Sequence, residues 1–260
     1  MKAVILAAGR GGRLRAAVGD RPKCLARIGA RTLIERQIQA LRAEGIADIV
    51  VVAGYRADDV HRVCGPRVHV VHNTRFAATN SLYSLWLARD LLSDGFVVLN
   101  CDVLFHQQLL ADLITSRYDD ALLMAPQATS AAAYTDEEMK VRVRRGCVAG
   151  IAKTLDPDEV DGENVGIAKF GAAGATVLVE ELNRVVSAGA LTEWLPRAFD
   201  AFSRRRPLHV VDTRGFPWIE IDFPEDYWRA CSEILPAIDG GPVSAAASDA
   251  GALGRTVRHV

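Results

Sequence analysis

Ala3-Val4-Ile5-Leu6-Ala7-Ala8, followed by Gly9-Arg10-Gly11-Gly12-Arg13-Leu14, is an apolar run that breaks into glycines and arginines. The run suits a buried strand, is too short for a signal-peptide core, and has no small-residue cleavage site after it. The glycines let the chain bend sharply and bring backbone N–H groups close to phosphate oxygens, while Arg13 can fork onto two oxygens at once. A strand that opens into such a loop reads as the first unit of an α/β sheet with a polyphosphate site at its carboxyl end.

Downstream, short β-rich runs alternate with helical patterns. Helix is expected over Leu33 to Glu44, strand over Ile49 to Gly54, helix over Asp58 to Cys64, strand over Val68 to His72 and helix over Ser81 to Leu92. Strand over Phe96 to Leu99, helix over Gln107 to Thr115 and strand over Ala121 to Ala125 continue the alternation. The fold class this predicts is α/β: a Rossmann-like, mostly parallel sheet with helices on both faces. From Lys140 the texture changes. Lys140 to Val143 and Val148 to Lys153 flank a turn at Arg144-Arg145-Gly146, and Val165 to Phe170 adds a strand, so residues 127–172 read as a small β-rich insert laid against the sheet. Helix over Ala175 to Ser187, strands over Leu208 to Asp212 and Trp218 to Ile221, and helix over Glu225 to Leu235 complete a domain spanning 1–237. Residues 238–260 are rich in glycine, alanine and serine and are expected to form a flexible tail.

Composition narrows the function classes. Half of the 260 residues are apolar, 24% are charged and the net charge is −1. A sizeable core is affordable, and no global field favours nucleic acid or an anionic membrane, so any polyanion must be met locally. Cys24, Cys64, Cys101, Cys147 and Cys231 are odd in number and include no C-x-x-C pair, which reads as reduced thiols in a cytoplasmic protein rather than a disulfide framework or zinc site. Nothing approaches a membrane span. Arg204-Arg205-Arg206-Pro207 lacks interleaved aromatics and reads as a solvated helix end, not a nucleic-acid site.

Two common phosphate loops fail on inspection. A dinucleotide G-x-G-x-x-G needs glycine where Leu14 stands, which weighs against an oxidoreductase, and a P-loop needs G-K-S/T after a four-residue spacer. What Leu6, Ala7, Ala8, Gly9, Arg10, Gly11, Gly12, Arg13 and Leu14, with Pro22-Lys23-Cys24-Leu25, do resemble is the L-A-A-G-x-G-T/S/G-R-L/M and P-K-x-L signature of the MobA-like nucleotidyltransferases. That family acts on sugar phosphates and related acceptors. Gly12 departs from the commoner threonine. The resemblance makes Leu6 to Gly9, Gly11, Gly12, Arg13 and Lys23 nucleotide-binding residues, and sets Lys23 as the cation beside the α-phosphate, where charge builds.

Hard divalent ions such as Mg2+ take a few carboxylates at strand ends. Asp102 ends the run from Phe96 to Cys101, and Glu220 and Asp222 lie two apart, on one face if that stretch is extended. Trp218-Ile219-Glu220-Ile221-Asp222-Phe223-Pro224-Glu225-Asp226 resembles the W-I-E-I-D-x-P-E-D segment of the phosphocholine cytidylyltransferase branch, which implies Mg2+ held by Asp102, Glu220 and Asp222. Asp222 is also placed to cap the following helix.

Asn80-Ser81-Leu82-Tyr83 resembles a stretch beside the nucleotide and acceptor in that branch. Asn80 or Ser81 can cap the helix, whose first N–H groups are expected to face an anion or base. Lys153 and Glu163 fall where relatives line the acceptor pocket. A cationic acceptor head needs aromatic faces, each worth about 0.5 to 2 kcal/mol; Tyr83, Tyr134, Trp194 and Trp218 are the candidates. The resemblance thus implies a transfer of CMP from CTP to a small phosphorylated or phosphonylated acceptor, with pyrophosphate released and Arg13, Lys23, Asp102 and Asp222 as catalytic residues. A sugar-1-phosphate acceptor, or a nucleotide-binding regulator without chemistry, are the alternatives. The residues leave the base, the acceptor and the oligomeric state open.

Overall fold

A computed structural model describes residues 1–127 and 137–240. The strands are β1 (Lys2–Ala7), β2 (Arg27–Ile28), β3 (Arg31–Thr32), β4 (Ile49–Ala53), β5 (His69–His72), β6 (Phe96–Asn100), β7 (Val103–Phe105), β8 (Ala121–Pro126), β9 (Lys140–Arg144), β10 (Cys147–Ala152), β11 (Gly162–Phe170), β12 (His209–Asp212) and β13 (Trp218–Glu220). The helices are α1 (Arg15–Val18), α2 (Leu33–Ala43), α3 (Ala57–Cys64), α4 (Ser81–Leu87), α5 (Gln107–Thr115), α6 (Ala172–Ser187), α7 (Pro196–Ser203), α8 (Pro224–Arg229) and α9 (Leu235–Asp239). Tyr134 and residues 241–260 of the expected tail lie outside the described residues; Ile238 and Asp239, assigned to that tail, instead end α9, with Ile238 packed on the core.

Nine described strands form one sheet in the order β5-β4-β1-β6-β11-β8-β12-β10-β9. β5, β4, β1 and β6 are parallel, with Ala3 opposite Ile49 and Val97. The near-continuous apolar sequence of β4, β1 and β6 follows from burial on both faces, whereas β5, at the sheet edge, is bounded by His69 and His72 and is partly exposed. One core, with Ile5, Val51 and Leu99, is closed by α2, α3 and α5; the other, with Val4, Val50, Phe96 and Phe170, is closed by α4, α6 and α7.

The sheet is mixed rather than mostly parallel, because β11 runs antiparallel between β6 and β8. Its pairing shifts between Asn164 and Ala168. Gly166 lies in that shift at φ +83°, where a Cβ would stand 2.8 Å from the Asn100 side chain, so glycine alone lets β11 pass the end of β6. The hairpin β9–β10 and strand β11 therefore extend the sheet instead of lying against it.

Several helices differ from expectation, among them the short α1, which was not foreseen. α4 stops at Leu87: Arg89 lies over the Trp86 ring and donates to the Trp86 carbonyl at 3.1 Å, and a 3-10 turn replaces the last helical turn. The helix expected over Glu225 to Leu235 widens into a π turn at Ala230–Ile234, just before Pro236, which has no N–H to donate and crowds the preceding turn. α7, not foreseen, starts with Pro196 at its first position and inserts Phe199 and Phe202 against Phe170. Among the described residues, no helix is long and apolar enough to cross a membrane.

Candidate active site

The carboxyl ends of β1 and β6 open into a cavity of about 300 Å³. Gly11 sits at φ +64°, and a Cβ there would lie 2.8 Å from the Lys23 Cβ. Glycine at this point lets the loop after β1 close down on the 3-10 turn that carries Lys23. From that turn the ammonium reaches inward with only 11% of its side chain exposed. It donates to Asp102 Oδ2 at 3.0 Å and to Asp222 Oδ1. Burial pulls the Lys23 pKa down, but Asp102 and Asp222 outweigh it and hold the ammonium well above its ordinary value.

Asp102 follows β6, Glu220 ends β13 and Asp222 comes two residues later; β13 pairs with β7, bringing Glu220 opposite Val103. One carboxylate oxygen from each of Asp102, Glu220 and Asp222 lies within 4.8 Å of the others. Burial, then the charges of Asp102 and Asp222, push the Glu220 carboxyl up to about 8. Asp102 Oδ1 is buried with no hydrogen-bond partner. Three converging hard oxygens, with Asp102 keeping one carboxylate oxygen unpartnered, fit a divalent cation. The α8 cap, however, belongs to Asp226, whose Oδ2 accepts from the N–H groups of Asp222 at 3.0 Å and Phe223 at 2.9 Å. The Asp222 carboxylate is left to the cavity.

Arg13 donates to Asp222 Oδ2 and to Glu137 Oε2, both at 3.0 Å, and its guanidinium lies 4.6 Å from the Phe223 ring centre. Leu6, Ala8, Gly9 and Gly12 line the cavity with them. Ala7 does not: it is 1% exposed and faces the core.

The first N–H groups of α4 are not open to a ligand, contrary to the sequence expectation. Asn80 N–H donates to Leu191 O at 3.0 Å, Ser81 N–H to Asn80 Oδ1 at 2.8 Å and Leu82 N–H to Glu193 O at 3.4 Å. Ser81 Oγ accepts from Leu195 N–H at 2.8 Å, so Ser81 fastens the segment before α7 to the cavity wall. Asn80 and Ser81 still line the cavity. Tyr83 is 8% exposed and stacks on Trp86 inside the fold, and it lines neither the cavity nor the cleft beside it. Trp194 lines the cavity and is 48% exposed, with the Lys153 Nζ 5.4 Å from its ring centre.

Glu163 and Trp218 line a second cleft of about 450 Å³. It adjoins the first at Glu137, Glu220 and Asp222, and also contains Phe223 and Asp226. Burial, and then Glu138, push the Glu163 carboxyl up to about 7. The native state thus holds this proton more tightly than the unfolded chain. Its contribution to stability is full below the ordinary value of 4.5 and is lost as pH rises toward about 7. Glu163→Gln is expected to shrink the stability lost between about pH 5 and pH 8 by on the order of 2 kcal/mol. Urea unfolding at the two pH values reads this directly; an unchanged gap would mean a solvated carboxylate.

Sequence reasoning missed several cavity residues. Asn73, 1% exposed, donates to Thr79 Oγ1 at 3.1 Å and Ser84 Oγ at 3.2 Å, bracing the loop before α4. Asn100 and Asn164 meet the cavity where β6 and β11 run side by side. Asn100 is a polar residue ending an apolar strand, which periodicity alone does not distinguish from a strand end in water, and Asn164 stands near the start of β11 after Glu163, with no signal of its own.

A model of the MobA-like NTP transferase domain matches residues 3–182. The choline-phosphate cytidylyltransferase of Streptococcus pneumoniae is 38% identical over 121 residues, 45% of this chain and 52% of that protein. The bifunctional IPC transferase and DIPP synthase of Rubrobacter xylanophilus is 33% identical over 251 residues, 93% of this chain and 54% of that protein. The chain thus spans about half the length of these two relatives. The solved inositol-1-phosphate CTP transferase from T. maritima superposes with a TM-score of 0.74 at 22% identity, covering 93% of this chain and 97% of that one, which is a likeness of fold.

Proposed function

We propose, since the chain belongs to the MobA-like NTP transferase family, that it transfers a cytidylyl group from CTP to a small phosphorylated or phosphonylated acceptor. The observation that carries this reading is the Lys23 ammonium held between Asp102 and Asp222 at the mouth of the glycine loop. The names of the relatives favour CTP among the triphosphates.

An ionised acceptor oxygen needs no general base. It forms a bond to the α-phosphorus while the bond from that phosphorus to the bridging oxygen breaks, and the electron pair leaves with pyrophosphate. The residues of this chain act by placing the two substrates and by charge: Lys23 meets charge growing at the α-phosphate, and Arg13 exchanges Glu137 for triphosphate oxygens. Asp102, Glu220 and Asp222 would hold a divalent cation such as Mg2+, which when bound supplies further neutralisation of the triphosphate.

The second cleft favours an acceptor with a cationic head. Its walls gather Glu163, Asp226 and Trp218, carboxylates and an aromatic face that suit an ammonium, together with Arg229 and with Phe223, whose ring already meets the Arg13 guanidinium. An acceptor lying across both clefts would bring its phosphate toward Lys23 and Lys153, and its amine toward Glu163.

Pyrophosphate release tests this, with each ribonucleoside triphosphate and Mg2+ crossed against choline phosphate, aminoalkylphosphonates, inositol phosphate and sugar 1-phosphates. CTP paired with an amine-bearing acceptor is expected to exceed every other pair by about tenfold or more, the scale of one lost charge contact. Release confined to a sugar 1-phosphate would replace the acceptor assignment, and no release from any pair would remove the transferase reading.

A further inference from the structure

Gln37 lies on the buried face of α2 beside Ile34, Ile38 and Leu41, and is 1% exposed. Its amide nitrogen donates to Asn100 O at 2.8 Å and to Val103 O at 2.9 Å. Those two carbonyls bracket Cys101 and Asp102. The opposite orientation of the amide would set its oxygen against both carbonyls, so the hydrogen-bond pattern fixes which end points at the turn. The amide oxygen is buried with no partner. A leucine or methionine would fill the same space without burying an orphaned carbonyl, so packing alone does not account for a glutamine here.

The rest of the turn is tied just as closely. Cys101 N–H donates to Leu6 O at 3.3 Å, and Asp102 O accepts from Ile221 N–H at 3.0 Å. The backbone around Asp102 is therefore joined to β1, to the segment carrying Asp222 and, through Gln37, to α2.

We propose that Gln37 is a positioning residue for the carboxylate cluster: by clamping residues 100–103 from behind, it sets where Asp102 meets Lys23 and the incoming cation. This rests on the reading of Asp102, Glu220 and Asp222 as a cation site. Gln37 touches no substrate and acts only through Asp102. Removing a side chain that orients a ligand residue lowers metal affinity by about 10- to 100-fold in known cases.

The experiment measures Mn2+ binding to the full chain by the loss of the free-ion electron paramagnetic resonance signal. It compares wild type, Gln37→Met, Gln37→Glu, Asp222→Asn and Ile38→Val. The last trims a core methyl from the same helix face and serves as the measure of a purely structural change. Gln37→Met is expected to weaken Mn2+ binding at least tenfold while remaining folded by circular dichroism, and Ile38→Val to lower the melting temperature with binding unchanged. Gln37→Glu, which turns a carboxylate toward two carbonyls, is expected to weaken binding at least as much and decides the matter if the methionine variant does not fold. Wild-type affinity in the Gln37 variants, or an equal loss in Ile38→Val, overturns the inference alone. Mn2+ binding to wild type no tighter than to Asp222→Asn overturns the cation site itself, and this inference with it.

Discussion

Lys23→Met is expected to lower the rate of pyrophosphate release by about a thousandfold, the upper range for removing one donor aimed at developing charge. The loss should fall on kcat. The glycine loop, which offers its backbone to the triphosphate, is unchanged by the substitution, so CTP binding weakens much less. The same change leaves Asp102 and Asp222 facing each other, beside Glu220, without the ammonium that joins them. Breaking a fully buried ion pair from one side costs about 3 to 5 kcal/mol, and this part-buried one costs less because water reaches the carboxylates. The variant should therefore melt lower than wild type without metal. Millimolar Mg2+ or Mn2+ should recover much of that stability by supplying charge to the same oxygens, yet leave the rate low. Recovery of both would mean that Lys23 serves only to neutralise the carboxylates; recovery of neither would mean that the cluster does not take a cation.

The parts of this site that could be read from sequence are those whose geometry is local. Gly11 and Lys23 are separated by a short span that folds on itself, and the glycine is demanded by the contact between them. Asp102 could be found because a strand end fixes where the next residue points, and Glu220 and Asp222 because they lie beside each other in one segment. Three of the parallel strands, β1, β4 and β6, were legible through their apolar runs, since both faces are buried; β5, at the edge, is half-buried and was legible by its place in the alternation.

What could not be read depends on partners far along the chain. Nothing in Val165 to Phe170 says that the strand enters between β6 and β8 in the opposite direction; that choice is made by pairing with both neighbours at once. Asn80 and Ser81 look like a free helix start; Asn80 Oδ1 takes the Ser81 N–H locally, but it needs the approach of residues 191–193 to take the N–H groups of Asn80 and Leu82. Trp194 likewise has the composition of a cage wall, and only the fold brings the Lys153 ammonium, from the turn after β10, to within 5.4 Å of its ring centre. Gln37 is the extreme case, a polar residue at an apolar position of α2 whose reason lies 63 residues away at Asn100.

Asp222→Asn separates two roles that the structure places on one carboxylate. Asp222 accepts from Lys23 through Oδ1 and from Arg13 through Oδ2, and it belongs to the three-carboxylate cluster. Its side chain takes no part in capping α8, so asparagine, of equal size, should leave the helix and its Asp226 cap intact. If Asp222 is a cation ligand, kcat should fall by about a hundredfold or more even at saturating Mg2+, and the Mg2+ concentration giving half the maximal rate should rise at least tenfold. If it only orients Lys23 and Arg13, the rate should fall while the Mg2+ curve keeps its midpoint. The two outcomes differ because an ion pair within the protein does not depend on how much metal is in solution, whereas occupancy of a weakened site does. A turnover and a Mg2+ midpoint both equal to wild type would take Asp222 out of the metal set, and leave Asp102 with Glu220 as too few charges to hold the ion against the pull of Lys23.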